Sequence, residues 1–256
     1  MHRRDLIRLF AAGVAGLCAQ RALPAGLLLP AAPSAAPGLF AAGVAPLQSS
    51  PDSESLLPLF PLPLVLFPEI EIVLHIFEER YKLMIRECLL NQLEFGILLM
   101  RPDGFETVGC TAAITEILRS SRNGELDILV EGRRRFEISN LNRQKPYLRG
   151  EPTFFEDDES DAPVDSLQQQ AIEFYDRLVE LLRARDPAVK APAVSRNVGY
   201  ISYQIMTSVP TDHASQQRLL TLRSERDRLV QVILHLQQLI EILEQRPGAA
   251  APKSRA

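Results

Sequence analysis

The densest group of side chains able to hold an anion is the run Arg133-Arg134-Arg135. Guanidinium groups suit phosphate or carboxylate, because each presents a rigid fork of N–H donors. Glu131 and Glu137 flank the run and can balance it, so a charged hairpin corner is the competing reading. His75, set between Leu74 and Ile76, is the lone candidate base or ligand contact. Strand alternation puts it opposite the face of Ile70, Ile72 and Leu74, as a polar strand-end residue. The densest carboxylates lie between positions 156 and 161, a run that reads as solvated and ill suited to shifted pKa values.

Metal chemistry finds little support. The chain has four His and no H-E-x-x-H, and its three cysteines, Cys18, Cys88 and Cys110, form no C-x-x-C pair. Neither a zinc site nor a disulfide scaffold is expected, and Cys88 and Cys110 read as small buried hydrophobes. No cofactor is expected either. The stretch Gly104 to Thr111, GFETVGCT, has the glycine spacing of a phosphate-binding loop, but Cys110 stands where the lysine must be. It also opens a strand, so no helix N-terminus would face a phosphate.

The elements that must position these residues follow from periodicity. Pro58, Pro61 and Pro63 break an apolar run, which points to an edge or bulged strand. Ile70, Ile72 and Leu74 alternate with Glu69, Glu71 and Val73, a half-buried strand. From Glu78 to Asn91 the spacing turns helical, with Tyr81, Met84, Ile85 and Cys88 on one face. Strands are predicted over 95–100, 108–118, 126–130 and about 147–155, with turn signals at Pro102-Asp103-Gly104 and Asn123-Gly124. Whether Arg134 falls on the side of Ile128, Val130 and Phe136 depends on a bulge at Gly132. The acidic stretch Glu156 to Pro163 reads as a hinge. Beyond it helices are predicted over 164–185, 192–208 and 212–220. A fourth carries the seam Leu229, Ile233, Leu236, Ile240 and Leu243, packed internally or offered to a second copy.

With 256 residues and 46% apolar content, the chain can bury a substantial core. A net charge of −4 supplies no general footprint for nucleic acid. No apolar run past residue 50 is long enough to span a membrane. The first fifty-odd residues are rich in Ala, Gly, Leu and Pro and read as outside the fold. Arg3-Arg4-Asp5-Leu6-Ile7-Arg8 looks like a twin-arginine export signal with Leu9 to Ala19 as its apolar region, leaving the location cytoplasmic or exported.

The segment LPLFPLPLVLFPEIEIVLHIFEERYKLMI resembles the start of the N-terminal domain of Lon protease, in the stand-alone bacterial form. That family reads L-P-L-F-P-L-x-x-V-L-F-P-G-x-x-x-P-L-H-I-F-E-x-R-Y. The likeness continues in order through Phe95-Gly96-Ile97, Val108 to Ile114, DILVEGRRRFEI, Pro146-Tyr147-Leu148 and SYQIMTSVPTDHASQQRLLTLRSERDRL. It covers about Leu56 to Leu243. Glu69 stands where the family has Gly, and Val73 where it has Pro, so Glu69 is expected to avoid positive φ or the turn to differ.

The resemblance implies an α+β fold, with an N-terminal curled β-sheet or pseudo-barrel (PUA-like) with one helix, followed by a C-terminal helical bundle. The expected divisions are a signal-like segment 1–55, a β subdomain 56–156, a helical subdomain 163–246 and a tail 247–256. The family's full-length member, an S16 Lon-like peptidase, adds ATPase and Ser-Lys peptidase domains. Here only Lys82, Lys145, Lys190 and Lys253 are available, none in a desolvated setting beside a serine, and the chain ends with the helices. The resemblance therefore implies a non-catalytic domain, not an enzyme, that binds unfolded polypeptide segments or a protease or chaperone partner. The alternatives are an RNA-binding PUA-like module, which the negative charge and the lack of an aromatic stacking pair flanking the arginines argue against, or a residual peptidase. The expected contact residues line a crevice between the two units: Phe67, His75, Ile76, Phe77 and Tyr81, with Arg133 and Arg134 nearby.

Overall fold

The computed structural model describes residues 56–158, 163–192, 194 and 200–245. The export-like segment 1–55 with Cys18, and the tail 247–256, lie outside the described residues. The chain runs through strands β1 (Leu57–Leu62) and β2 (Glu71–Ile76), helix α1 (Glu79–Asn91), and strands β3 (Phe95–Arg101), β4 (Gly104–Ser120), β5 (Leu126–Asn142) and β6 (Leu148–Phe155). Helices α2 (Asp165–Arg183), α3 (Ile201–Ser208), α4 (His213–Thr221) and α5 (Glu225–Glu244) follow, completing an α+β fold.

The six strands form one mixed sheet in the order β2-β5-β4-β3-β1-β6, and β6 pairs back onto β5. Five strands therefore curl into a closed circuit. β5 is long enough to serve two partners along one edge, β2 over Leu126–Glu131 and β6 from Arg135 to Asn142. Pairing of β3 with β4 ends at Ala112, so the far part of the β4–β5 hairpin projects past the circuit with β2 beside it.

β1 corrects one expectation, since it is an inner strand between β3 and β6. Its prolines are tolerated because the two pairings overlap only at Leu59. Pro58 lies in the stretch paired with β6 alone, and Pro61 in the stretch paired with β3 alone. Each proline thus faces a neighbouring strand on one side only, and the missing N–H need not interrupt a ladder. Pro63 follows the strand.

The turn before β2 corrects a second. Glu69 adopts φ 62°, the left-handed conformation the family's glycine would take without strain. It is held there by its N–H donating to Gly132 O at 2.9 Å, while the Gly132 N–H donates to Ile70 O at 2.9 Å. Gly132 must be a glycine, because a Cβ there would lie 2.0 Å from the Phe67 carbonyl oxygen. Just beyond it, Arg133 and Arg134 together oppose the single residue Thr111, a β-bulge, and the Thr111 hydroxyl accepts from the Arg134 N–H at 3.0 Å. The bulge returns Arg135 and Phe136 to the interior and leaves Arg133 and Arg134 exposed.

α1 buries Tyr81, Met84, Ile85 and Cys88, the face its spacing predicts. The seam on α5 is likewise buried, with α2 and α3 packed on that helix. Asp212 and Ser224 cap α4 and α5 through side-chain acceptors. The helix expected from Pro192 begins at Ile201, and Ala191 and Pro192 are not helical. α4 packs on β4, where the Gln217 side-chain amide donates to Val108 O at 2.9 Å. One hydrophobic core runs from Leu74, Ile76 and Met84 in the β half to Tyr203, Leu229 and Leu236 in the helical half.

Candidate functional site

At the junction of the two halves, where the sequence places a ligand crevice, three of the residues named for it pack into the core. Phe67 is fully buried and stacks on Tyr203 of α3, ring centroids 4.6 Å apart. Ile76 is buried in the core, and buried Tyr81 packs its ring 4.1 Å from that of Phe60. These three expected contact residues offer no surface to a ligand. The apolar phase of β2 carries Ile76 into the core and the inward face of α1 carries Tyr81, while Phe67 comes from the β1–β2 connection.

Beside the Phe67–Tyr203 stack lies a buried charge cluster that the sequence reading did not assemble. Arg135 donates to Leu220 O at 3.3 Å, Leu222 O at 2.5 Å and Asp157 Oδ1 at 2.5 Å. Arg228, with no exposed surface, donates from Nη1 to Asp157 Oδ1 at 2.7 Å and to Leu222 O at 2.9 Å, from Nη2 to Asp157 Oδ2, and from Nε to Glu225 Oε2 at 2.9 Å. Glu225 in turn accepts from the Ser202 hydroxyl at 2.7 Å. Asp157 is thus the shared counter-ion of one arginine from the sheet and one from α5, and is no part of a freely solvated hinge. Burial pushes its carboxyl up, but the hydrogen bonds and charge of Arg228, with Arg135, outweigh this and hold it below the usual range. For Glu225 burial wins and the carboxyl is raised. With both arginines almost wholly buried, the cluster fastens the two halves together.

His75 and Phe77 are the expected residues that do reach solvent. Their rings stack 5.8 Å apart on the outer face of the projecting β2–β5–β4 extension. The His75 ring nitrogen Nδ1 lies 2.6 Å from Asp127 Oδ1, and Arg119 Nε lies 3.1 Å from Asp127 Oδ2, so β2, β5 and β4 each supply one member of a polar row. Next to that row the pairing sets Val73 opposite Leu129. Val73 is 50% exposed and Phe77 59%; Ile117 and Leu118 are exposed on β4, where Ile117, opposite buried Ile128, lies on the other face of the extension. Val73 was legible as an apolar residue on the polar phase of β2. Ile117 and Leu118 were not, because nothing local reveals that their hairpin outruns its neighbouring strands.

Arg133 and Arg134 do not join this patch. Arg134 lies further along β5, roughly 20 Å from Asp127 at the usual strand rise. Arg133 pairs with Glu131 at 2.9 Å, while Arg134 sits 3.9 Å over the Phe154 ring and 3.8 Å from Glu94. Both are therefore occupied within the protein. A second apolar surface is an open groove of about 570 Å³ on the helical half, lined by Met206, Leu219, Leu222, Val230, Leu234 and His235 among others.

Among the described residues, no group of three or more His, Cys, Asp or Glu could hold a metal ion, and no helix is long and apolar enough to cross a membrane. Cys88 and Cys110 are buried, and burial pushes the Cys88 thiol up to about 12, which suits neither metal binding nor nucleophilic attack.

A sheet that shares one core with its helices, with a buried charge cluster at the junction and exposed apolar side chains on the extension, has the build of a binding domain. Residues 56–238 match the family model of the ATP-dependent protease La (LON) substrate-binding domain, and the chain belongs to that family. The match is to this non-catalytic domain alone. Lon protease of Parabacteroides distasonis is 24% identical over 204 residues, 73% of this chain and 24% of that protein. Lon protease 2 of Herpetosiphon aurantiacus is 27% identical over 139 residues, 54% of this chain and 17% of that one. The chain thus spans about a quarter or less of the length of these relatives. Among solved structures, the Lon N-terminal domain protein from Xanthomonas campestris superposes with TM-score 0.55 at 24% identity, over 70% of this chain and 97% of that one. The N-terminal domain of Mycobacterium avium complex Lon protease gives 0.51 at 16%, over 71% and 98%. Both likenesses concern the fold.

Proposed function

We propose that this domain is a non-catalytic holder of unfolded polypeptide, and that it works through the outer face of the β2–β5–β4 extension. The observation that carries the reading is the exposed pair Val73 and Phe77 beside His75 on one face of the extension, with exposed Leu118 on β4. An unfolded segment shields such side chains from water, and apolar contact is indifferent to its exact sequence. In this reading the PUA-like circuit, residues 56–156, is the binding subdomain, and residues 163–246 brace it. A protease or chaperone partner would receive what the face holds.

The experiment is fluorescence anisotropy with a reduced, unfolded protein fragment and with a short RNA, at low and high salt. The fragment binds with an affinity no better than roughly micromolar, since a disordered ligand must be ordered on binding. That binding survives salt, because apolar contact is not screened. RNA that binds more tightly, with an affinity collapsing in salt, would contradict the proposal.

A further inference from the structure

The outer face has a free edge. We propose that a bound polypeptide joins β2 there as an added strand, selected for a basic residue followed by alternating apolar ones. The inference rests on the polypeptide-binding reading and gives it a place, a mode and a ligand chemistry.

β2 pairs with β5 on one side, and among the described residues no strand pairs with its other side. Its six residues keep unbroken register with β5 and include no proline, lysine or bulge, three of the devices by which exposed edges are blunted. The other unpaired stretch of the extension, on β4 beyond Ala112, is interrupted by register shifts at Ile114/Glu116 and Ile117/Arg119. A kinked edge is a poor template, so β2 is the better acceptor.

The side chains say what the added strand carries. Glu71, Val73 and His75 share the outer face at the two-residue period, and Phe77 continues the line just past the strand end. An incoming strand sets its own alternate side chains beside these, where apolar residues pack on Val73 and on the His75–Phe77 stack. At the other end Glu69 and Glu71 are exposed and make no ion pair among the described residues. The neighbouring carboxylates Glu78 and Asp127 are matched by Arg80 and by Arg119 with His75. The uncompensated charge therefore sits at one end of the edge, where it favours lysine or arginine and disfavours phosphate.

The test uses the full chain and a fluorescein-labelled peptide, Lys-Thr-Val-Thr-Phe-Thr, in three forms. One is unmodified, and the others are N-methylated at alternate amides in one phase or the other. Strand addition uses the donors of one peptide edge, so one methylated form loses about tenfold in affinity and the other stays within about twofold. Glu71→Lys, at an exposed position, reverses the preference between this peptide and its Glu-led counterpart. Equal effects of both methylation phases, or a preference unmoved by Glu71→Lys, overturn strand addition. If the unfolded fragment still binds in that case, the polypeptide-binding reading stands. If neither peptide nor fragment binds, both are wrong.

Discussion

Arg135 and Phe77 mark two regions built from the same sheet to opposite ends. At the junction, Arg135, Asp157, Arg228, Glu225 and Ser202 satisfy one another inside a shell that includes Phe67 and Tyr203. On the extension, Val73, Phe77, Ile117 and Leu118 remain in water with nothing covering them among the described residues. The junction thus spends its polar groups on integrity, and the extension leaves apolar surface for a ligand. A charged run in a sequence is therefore weak guidance to a binding site until its counter-ions are located. Arg133, Arg134 and Arg135 are consecutive, yet the third is 4% exposed while the first two lie at the surface.

The sharpest way to break this comparison is to cut each region and measure both stability and binding. Arg228→Met leaves buried Glu225 without its arginine and Asp157 with Arg135 alone, and should cost about 3–5 kcal/mol, read from urea unfolding. Tyr81→Ala belongs with it, since truncating a buried ring costs roughly 3–5 kcal/mol. Phe77→Ala, at an exposed position, should leave stability within about 0.5 kcal/mol and weaken binding of an unfolded fragment severalfold. If Phe77→Ala unfolds the domain, or Arg228→Met does not destabilise it, the two regions have been assigned the wrong roles.

Acid should find the junction next. Asp157 and Glu87 are held lower in the folded chain than in the unfolded one, Glu87 chiefly by hydrogen bonds from Lys145 and Tyr147. Such groups stabilise the fold above their unfolded values, near pH 4, and that contribution is lost as pH falls through their folded values. Glu225, raised by burial, has the opposite sign. Its ionisation opposes folding above its unfolded value, so acid relieves that penalty. Urea midpoints taken from pH 7 down to pH 2 should fall below about pH 4. In Asp157→Asn the midpoint should start lower and fall less steeply.

The smallest effect sharpens the turn that launches β2. Glu69→Gly removes the left-handed strain at φ 62° but adds freedom to the unfolded chain. The net gain should be about 0.5–1 kcal/mol, seen as a rise in Tm, while Glu69→Ala should give none.

What the sequence made legible is local. The α1 face of Tyr81, Met84, Ile85 and Cys88 and the α5 seam follow from helical spacing, and both are buried. The exposed phase of β2 follows from alternation, which places His75 at the surface. What stayed hidden depends on distant partners. Asp157 meets Arg135 and Arg228 across 22 and 71 residues of chain, and no pattern within the acidic stretch announces it. The inner place of β1 was equally hidden, because a strand that changes partner at Leu59 carries prolines as an edge strand does. Phe67, Ile76 and Tyr81 were grouped with Phe77 by proximity in sequence, and only the packing separates them.

The account's central claim is that the apolar outer face, and no charged group, holds unfolded chains. The direct measurement is anisotropy of one reduced, unfolded protein fragment against the wild type, Phe77→Ala and the pair Arg133→Ala with Arg134→Ala, at low and high salt. The account predicts severalfold weaker binding for Phe77→Ala, wild-type binding for the arginine pair, and little response to salt throughout. Binding that ignores Phe77→Ala, but falls with the arginine pair and with salt, would contradict it.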